Sequence, residues 1–152
     1  PGSPGARRTA AFRRAAADLG VAVVEELLVD VGPRWGRQEG AVAAARLLDD
    51  GPPFDALLAH NDALALGALR AALDRGLRVP GDLAVIGSGD TEDARYAVPS
   101  LTSIAQGTSE VAGTAVALLA DRIEGSPPRD DPRAAAGVDL RLRESTLGVG
   151  VA

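Results

Sequence analysis

The sequence predicts an α/β fold, a parallel sheet flanked by helices, and two observations carry that expectation. Compact runs rich in Val, Leu and Ile alternate along the chain with longer stretches whose apolar residues recur at helical spacing. These runs read as continuously apolar, which is the pattern of strands buried on both faces by helices in a parallel sheet.

The chain opens on Pro1-Gly2-Ser3-Pro4-Gly5, a loop by composition. From Ala6 to Leu19, the residues Ala11, Phe12, Ala15 and Leu19 fall on one side of a helix with arginines opposite, and Gly20 is its natural stop. Val21 to Val29 fits a buried strand, and Gly32-Pro33-Arg34-Trp35-Gly36 a loop. Gln38 to Leu48 returns to helical character and ends at the turn cluster Asp49-Asp50-Gly51-Pro52-Pro53. Phe54 to Ala59 is a strand, and Asn61 or Asp62 caps a helix lined by Leu66, Leu69 and Leu73 and closed by Gly76. Leu83 to Ile86 forms the next strand, followed by the flexible run Gly87-Ser88-Gly89-Asp90 and a loop to Ser100. Leu101 to Ile104 is a short strand and Thr108 to Glu124 a helix with Val111, Ala115, Leu118, Leu119 and Ile123 on one side. Ser126 to Gly137, rich in Pro and charge, reads as a surface linker before a last strand, Val138 to Leu142.

Composition narrows the function. With 46% hydrophobic and 24% charged residues, 152 residues suit one globular domain, and with two Phe, one Tyr and one Trp its core must be aliphatic. A net charge of -5 with dispersed basic residues argues against this segment gripping a phosphate backbone. With no Cys and a single His, neither a thiolate nor a His-rich metal site is available, and no cofactor is expected. No apolar run approaches the roughly 20 residues that span a bilayer, so no membrane partner is expected. His60 stands without an ordered nucleophile, so no catalytic residue is assigned. Gly87-Ser88-Gly89 lacks the continuing glycine pattern and immediate helix of a phosphate cradle.

In such sheets ligands lie at the carboxyl ends of the strands, where loops converge and helix N-termini offer unpaired N–H groups. Three loops meet there by this reading: those with Trp35, with Asn61-Asp62, and with Gly87 to Asp90.

The ordered motifs Ala59-His60-Asn61-Asp62-Ala63-Leu64-Ala65-Leu66-Gly67, Arg75-Gly76-Leu77-Arg78-Val79-Pro80-Gly81-Asp82-Leu83-Ala84-Val85-Ile86-Gly87, Asp90-Thr91-Glu92-Asp93, Pro99-Ser100-Leu101-Thr102-Ser103-Ile104, Gln106 and Arg143-Glu144-Ser145-Thr146 resemble those of the lactose-repressor/galactose-repressor (LacI/GalR) regulators. The likeness runs from Arg8 to Thr146, with Arg143 to Thr146 matching the family's closing strand. It implies a periplasmic-binding-protein-like (type I) fold of two lobes with a small ligand between them. The chain then corresponds to an incomplete two-lobed domain: residues 1–152 are its C-terminal portion, mostly the C-terminal lobe, with about 105–125 crossing to the N-terminal lobe. The helix-turn-helix lies outside the chain, so operator DNA is a partner only through that missing N-terminal domain. The implied protein is a cytoplasmic, non-enzymatic homodimer responding to a sugar-like effector; the alternative is an extracytoplasmic sugar receptor of a transporter.

The resemblance also implies five effector-binding residues. Arg8 matches the family's ligand-reaching arginine, a role that suits its planar fork of donors, against the plain reading of a solvated helix arginine. Trp35 sits where a ring-stacking aromatic is expected; alternatively it caps the core edge with its N–H satisfied. Asn61 and Gln106 can both donate and accept toward hydroxyls, Asn61 also being a helix cap and Gln106 a loop bond. At Gly89 the family commonly has an acid, which here stands one position later. Asp90 either substitutes for it through the flexible turn or is itself a turn former. The apolar face of the Asp62–Asp74 helix and the segment Asp93 to Pro99 match the family's dimer interface.

Overall fold

The computed structural model describes residues 4–125 and 137–148. In chain order these form α1 (Pro4–Asp18), a single 3-10 turn (Glu25–Leu27), α2 (Arg37–Asp50), β1 (Ala56–Leu58), α3 (Asp62–Asp74), β2 (Ala84–Ser88), α4 (Glu92–Tyr96), β3 (Thr102–Ala105), α5 (Thr108–Ile123), β4 (Asp139–Arg141) and α6 (Glu144–Leu147). The expected linker from Ser126 lies outside the described residues except for Gly137.

The sheet runs β1-β2-β3-β4, with the first three strands parallel. β4 departs from the all-parallel expectation, pairing antiparallel to β3 through Ile104 and Leu140. Val85 and Gly87 of β2 are buried while Ala84 and Ile86 are half-buried. One face is therefore closed by α3, and the other is covered more thinly than a strand buried on both sides requires.

α3 is the central helix. It begins where Asn61 accepts the Leu64 N–H at 2.8 Å, which satisfies one of the orphan donors of the first turn. Its Leu64, Ala65 and Ala72 join Ala59, Leu83, Val85, Ala94 and Leu101 in the main core, and its Ala68 and Ala71 meet Ala44 of α2. These α3 residues are thus taken up within the chain, while Leu73 on the same helix is 41% exposed.

Three stretches differ from expectation. Val21 to Val29 forms no ladder among the described strands: Glu25 and Glu26 interrupt the apolar run, and Arg13 holds Glu25 at 3.1 and 2.5 Å in the 3-10 turn. The expected loop after Asp90 contains α4, whose Ala94 is buried in the core. The closing Arg143 to Thr146 motif is a helical turn rather than a strand, because its side chains stand in for a ladder. The Ser145 hydroxyl accepts the Thr102 N–H at 2.8 Å and donates to the Val85 carbonyl at 2.6 Å, bridging β2 and β3. Glu144 accepts from the Ser100 N–H at 2.7 Å and its hydroxyl at 3.0 Å.

Candidate functional site

β1, β2 and β3 all end at one edge of the sheet, delivering His60-Asn61, Ser88-Gly89-Asp90 and Gln106 there. The N-capping Asn61 reaches sideways as well: its Nδ2 donates to the Trp35 carbonyl at 3.0 Å and so ties the loop before α2 to the start of α3. Trp35 is half-buried, packs against the main core, and donates its Nε1 hydrogen to the Gly32 carbonyl at 2.9 Å. Its ring lies 5.6 Å from that of His60 at 55°. Arg8 of α1 donates from Nη1 to the His60 carbonyl, with its guanidinium carbon 6.0 Å from the Trp35 ring centroid. A Cβ placed on Gly5 would approach Trp35 Cζ2 to 3.2 Å, so the first turn of α1 lies directly against the indole.

Arg8, Trp35, His60 and Asn61 therefore form one cluster. Burial, then the charge of Arg8, lowers the His60 pKa below its ordinary value, and Asp30 pulls the other way more weakly. The imidazole is thus neutral near pH 7.

The other two expected residues are engaged elsewhere. Gln106 is exposed and its Nε2 donates to the Ser88 hydroxyl at 2.6 Å. Asp90, at a φ of 50°, pairs with Arg143 through one oxygen and with Arg95 at 3.1 Å through the other. Burial pushes the Asp90 carboxyl up, but bonds and charges from Arg143 and then Arg95 outweigh it and hold the carboxyl below its usual range. Gly89 offers no side chain at the edge and has a φ of 131°, a conformation L side chains rarely adopt.

The Asp90–Arg143 pair makes a testable contribution, with side chains only 13% and 15% exposed. Arg143→Ala leaves a partly buried carboxylate and is expected to destabilise the chain by about 2–3 kcal/mol. Because the folded pKa of Asp90 is depressed, its contribution is present above the unfolded value of about 3.9 and is lost as pH falls through the folded value. Urea melts between pH 3 and 7 should show a shallower acid loss in the variant. Parallel curves would rule out this account of the pair.

Sequence reasoning left Asp62, His60, Ser88 and Arg143 out of the site. Asp62 appears in sequence as an alternative cap within a loop at the ligand edge and not as a site residue, yet it is 1% exposed and accepts from the Thr91 N–H at 2.8 Å, the Thr91 hydroxyl at 3.0 Å and the Ser103 hydroxyl at 2.6 Å. Arg143 stands in a recognised motif, but its partner is 53 positions away. No group of three or more His, Cys, Asp or Glu among the described residues could hold a metal ion. None of their helices is long and apolar enough to cross a membrane.

Comparison with known proteins places this edge in a family. The family model for a periplasmic binding protein-like domain matches residues 2–146. The HTH-type transcriptional regulator AscG of Escherichia coli is 35% identical over 125 residues, 80% of this chain and 37% of AscG. A structure assigned to a LacI-family regulator of Sanguibacter keddieii superposes with a TM-score of 0.86 at 45% identity, covering 94% of this chain and 54% of that one. A regulator CelR–cellobiose complex gives 0.79 at 34% identity, covering 88% and 40%. The chain thus spans about half the length of the matched structures or less. Together with the strand-end loops, these matches show that the chain belongs to the LacI family of transcriptional regulators, within their periplasmic binding protein-like domain.

Proposed function

We propose that the chain is the effector-sensing part of a LacI-type transcriptional regulator, non-enzymatic and cytoplasmic, binding a sugar-like molecule. The observation that carries this reading is the cluster of Arg8, Trp35 and Asn61, tied together at the carboxyl edge by the Asn61–Trp35 and Arg8–His60 bonds. Gln106, from the neighbouring strand end, contributes a polar contact. Asp90 serves the effector through the shape of the loop that it holds. The CelR relative with cellobiose supports a sugar, and the regulator relatives favour this role over that of a transporter receptor.

In this reading residues 1–152 are the C-terminal portion of a two-lobed domain, with about 105–125 crossing to the other lobe. α5 buries no residue within the chain, which suits a helix whose cover lies elsewhere. Operator DNA is contacted through a helix-turn-helix outside these residues. A homodimer surface lies at 93–99, where Tyr96 and Val98 are 78% and 84% exposed. The effector acts by binding one inter-lobe arrangement better than the other, which is the requirement for coupling to DNA affinity.

The test is calorimetric titration of the full-length gene product with a panel of mono- and disaccharides and their derivatives, repeated with Asn61→Ala. Removing Asn61 takes away both a polar contact and the anchor of Trp35, so affinity is expected to fall by about 2 kcal/mol, more than tenfold. Unchanged affinity in the variant, or an inert panel, would sink the reading.

A further inference from the structure

The carboxylates at the carboxyl edge are already engaged by protein donors, whereas the Arg8 guanidinium is matched by no carboxylate among the described residues. Gly89 has no side chain, both oxygens of Asp90 are held by Arg143 and Arg95, and those of Asp62 by Thr91 and Ser103. Asn61 Oδ1 is occupied by the Leu64 N–H. A hydroxyl both donates and accepts, whereas an anionic group only accepts, so an edge whose carboxylates are engaged and whose guanidinium is open favours a ligand rich in acceptors. Arg8 has no carboxylate partner among the described residues, and one bond to the His60 carbonyl leaves most of its five N–H donors for a ligand. The His60 imidazole stands beside it against Trp35.

We propose that the effector is an anionic sugar derivative, a carboxylate or phosphate monoester, whose charged group binds Arg8 and His60 while its carbon skeleton packs on Trp35. This rests on the effector-binding reading above and names its ligand class. The charged groups facing His60 are Arg8 from α1 and Asp30 from the loop before α2, whose carboxylate also accepts the Gly32 N–H at 2.8 Å. In the free protein Arg8 opposes a proton on His60. A bound anion reverses that balance, so binding takes up a proton and His60 acts as a specificity residue that strengthens with falling pH.

The experiment titrates the full-length protein by calorimetry with gluconate, glucuronate, glucose 6-phosphate and inorganic phosphate against neutral glucose and cellobiose, at pH 5.5 and pH 8. At least one anionic sugar is expected to bind about tenfold more tightly than its neutral parent, a difference of about 1.4 kcal/mol. Its affinity should drop about fivefold at pH 8, where the proton on His60 that the anion favours is lost. His60→Gln should bind and lose the pH dependence, and Arg8→Gln should lose the preference for the anion. Preference for the carboxylates or for glucose 6-phosphate distinguishes the two forms of charge. Tighter binding of a neutral parent, or an unaltered pH profile in His60→Gln, overturns the inference and leaves the effector reading standing. Failure of every sugar, charged and neutral, overturns both.

Discussion

Asp62→Ala is expected to destabilise the fold by about 3 kcal/mol, seen as a lowered urea midpoint at unchanged slope. The carboxylate is 1% exposed and is the acceptor for three donors, the Thr91 N–H and hydroxyl and the Ser103 hydroxyl. Truncation leaves the buried Ser103 hydroxyl without its acceptor and unties the two part-buried Thr91 donors, and an unsatisfied buried donor costs about 1–3 kcal/mol. Asp62→Asn keeps the volume but points an N–H pair at hydrogens, so about half the loss is expected from it. If both variants lie within about 0.5 kcal/mol of the parent, the network is not the closure it is taken for here.

The same residue explains how the edge holds its shape. Asn61 fastens the Trp35 loop, and its neighbour Asp62 fastens Thr91 after β2 and Ser103 on β3. Two consecutive residues at the start of α3 thereby connect the loop before α2 to the loop after β2 and to β3. Hydrogen exchange at Thr91 should accelerate in Asp62→Ala beyond the global loss, because its amide loses its acceptor.

Much of this arrangement is legible in the sequence where the signal is local. Helices α2, α3 and α5 announce themselves by apolar spacing, and Asn61 marks the start of α3 by capping chemistry. β1 to β3 stand out as apolar runs between turn residues. What escapes is non-local. Val21 to Val29 has the composition of a strand, but Glu25 is held by Arg13, and no window on the run itself contains both partners. The direction of β4, antiparallel to β3, cannot be read from the residues Asp139–Arg141 themselves. Trp35 and Asn61 are each visible through the family resemblance, whereas their mutual bond is not, because it depends on how two loops approach in space. The acid at Asp90 is visible, and the arginines that hold it are not.

Gly67→Ala should destabilise the chain by about 2–3 kcal/mol although it improves helix propensity by about 1 kcal/mol. A Cβ at Gly67 would overlap the Arg37 carbonyl oxygen and come within 2.6 Å of the Ala41 nitrogen. Gly40 on the facing helix meets the mirror situation, its Cβ overlapping the Leu64 carbonyl and lying 2.7 Å from the Leu64 Cα. α2 and α3 therefore cross backbone against backbone, and the obstructing atoms belong to main chains that cannot rotate aside. The helices must separate, which opens the Ala44, Ala68 and Ala71 contact. Gly113 in α5 supplies the control, since nothing lies within 4 Å of its Cβ position. There the propensity term acts alone, and Gly113→Ala is expected to stabilise the chain by up to about 1 kcal/mol. Thermal melts of the two variants should thus move in opposite directions. A shift of the same sign in both would show that the α2–α3 crossing is looser than its glycines require.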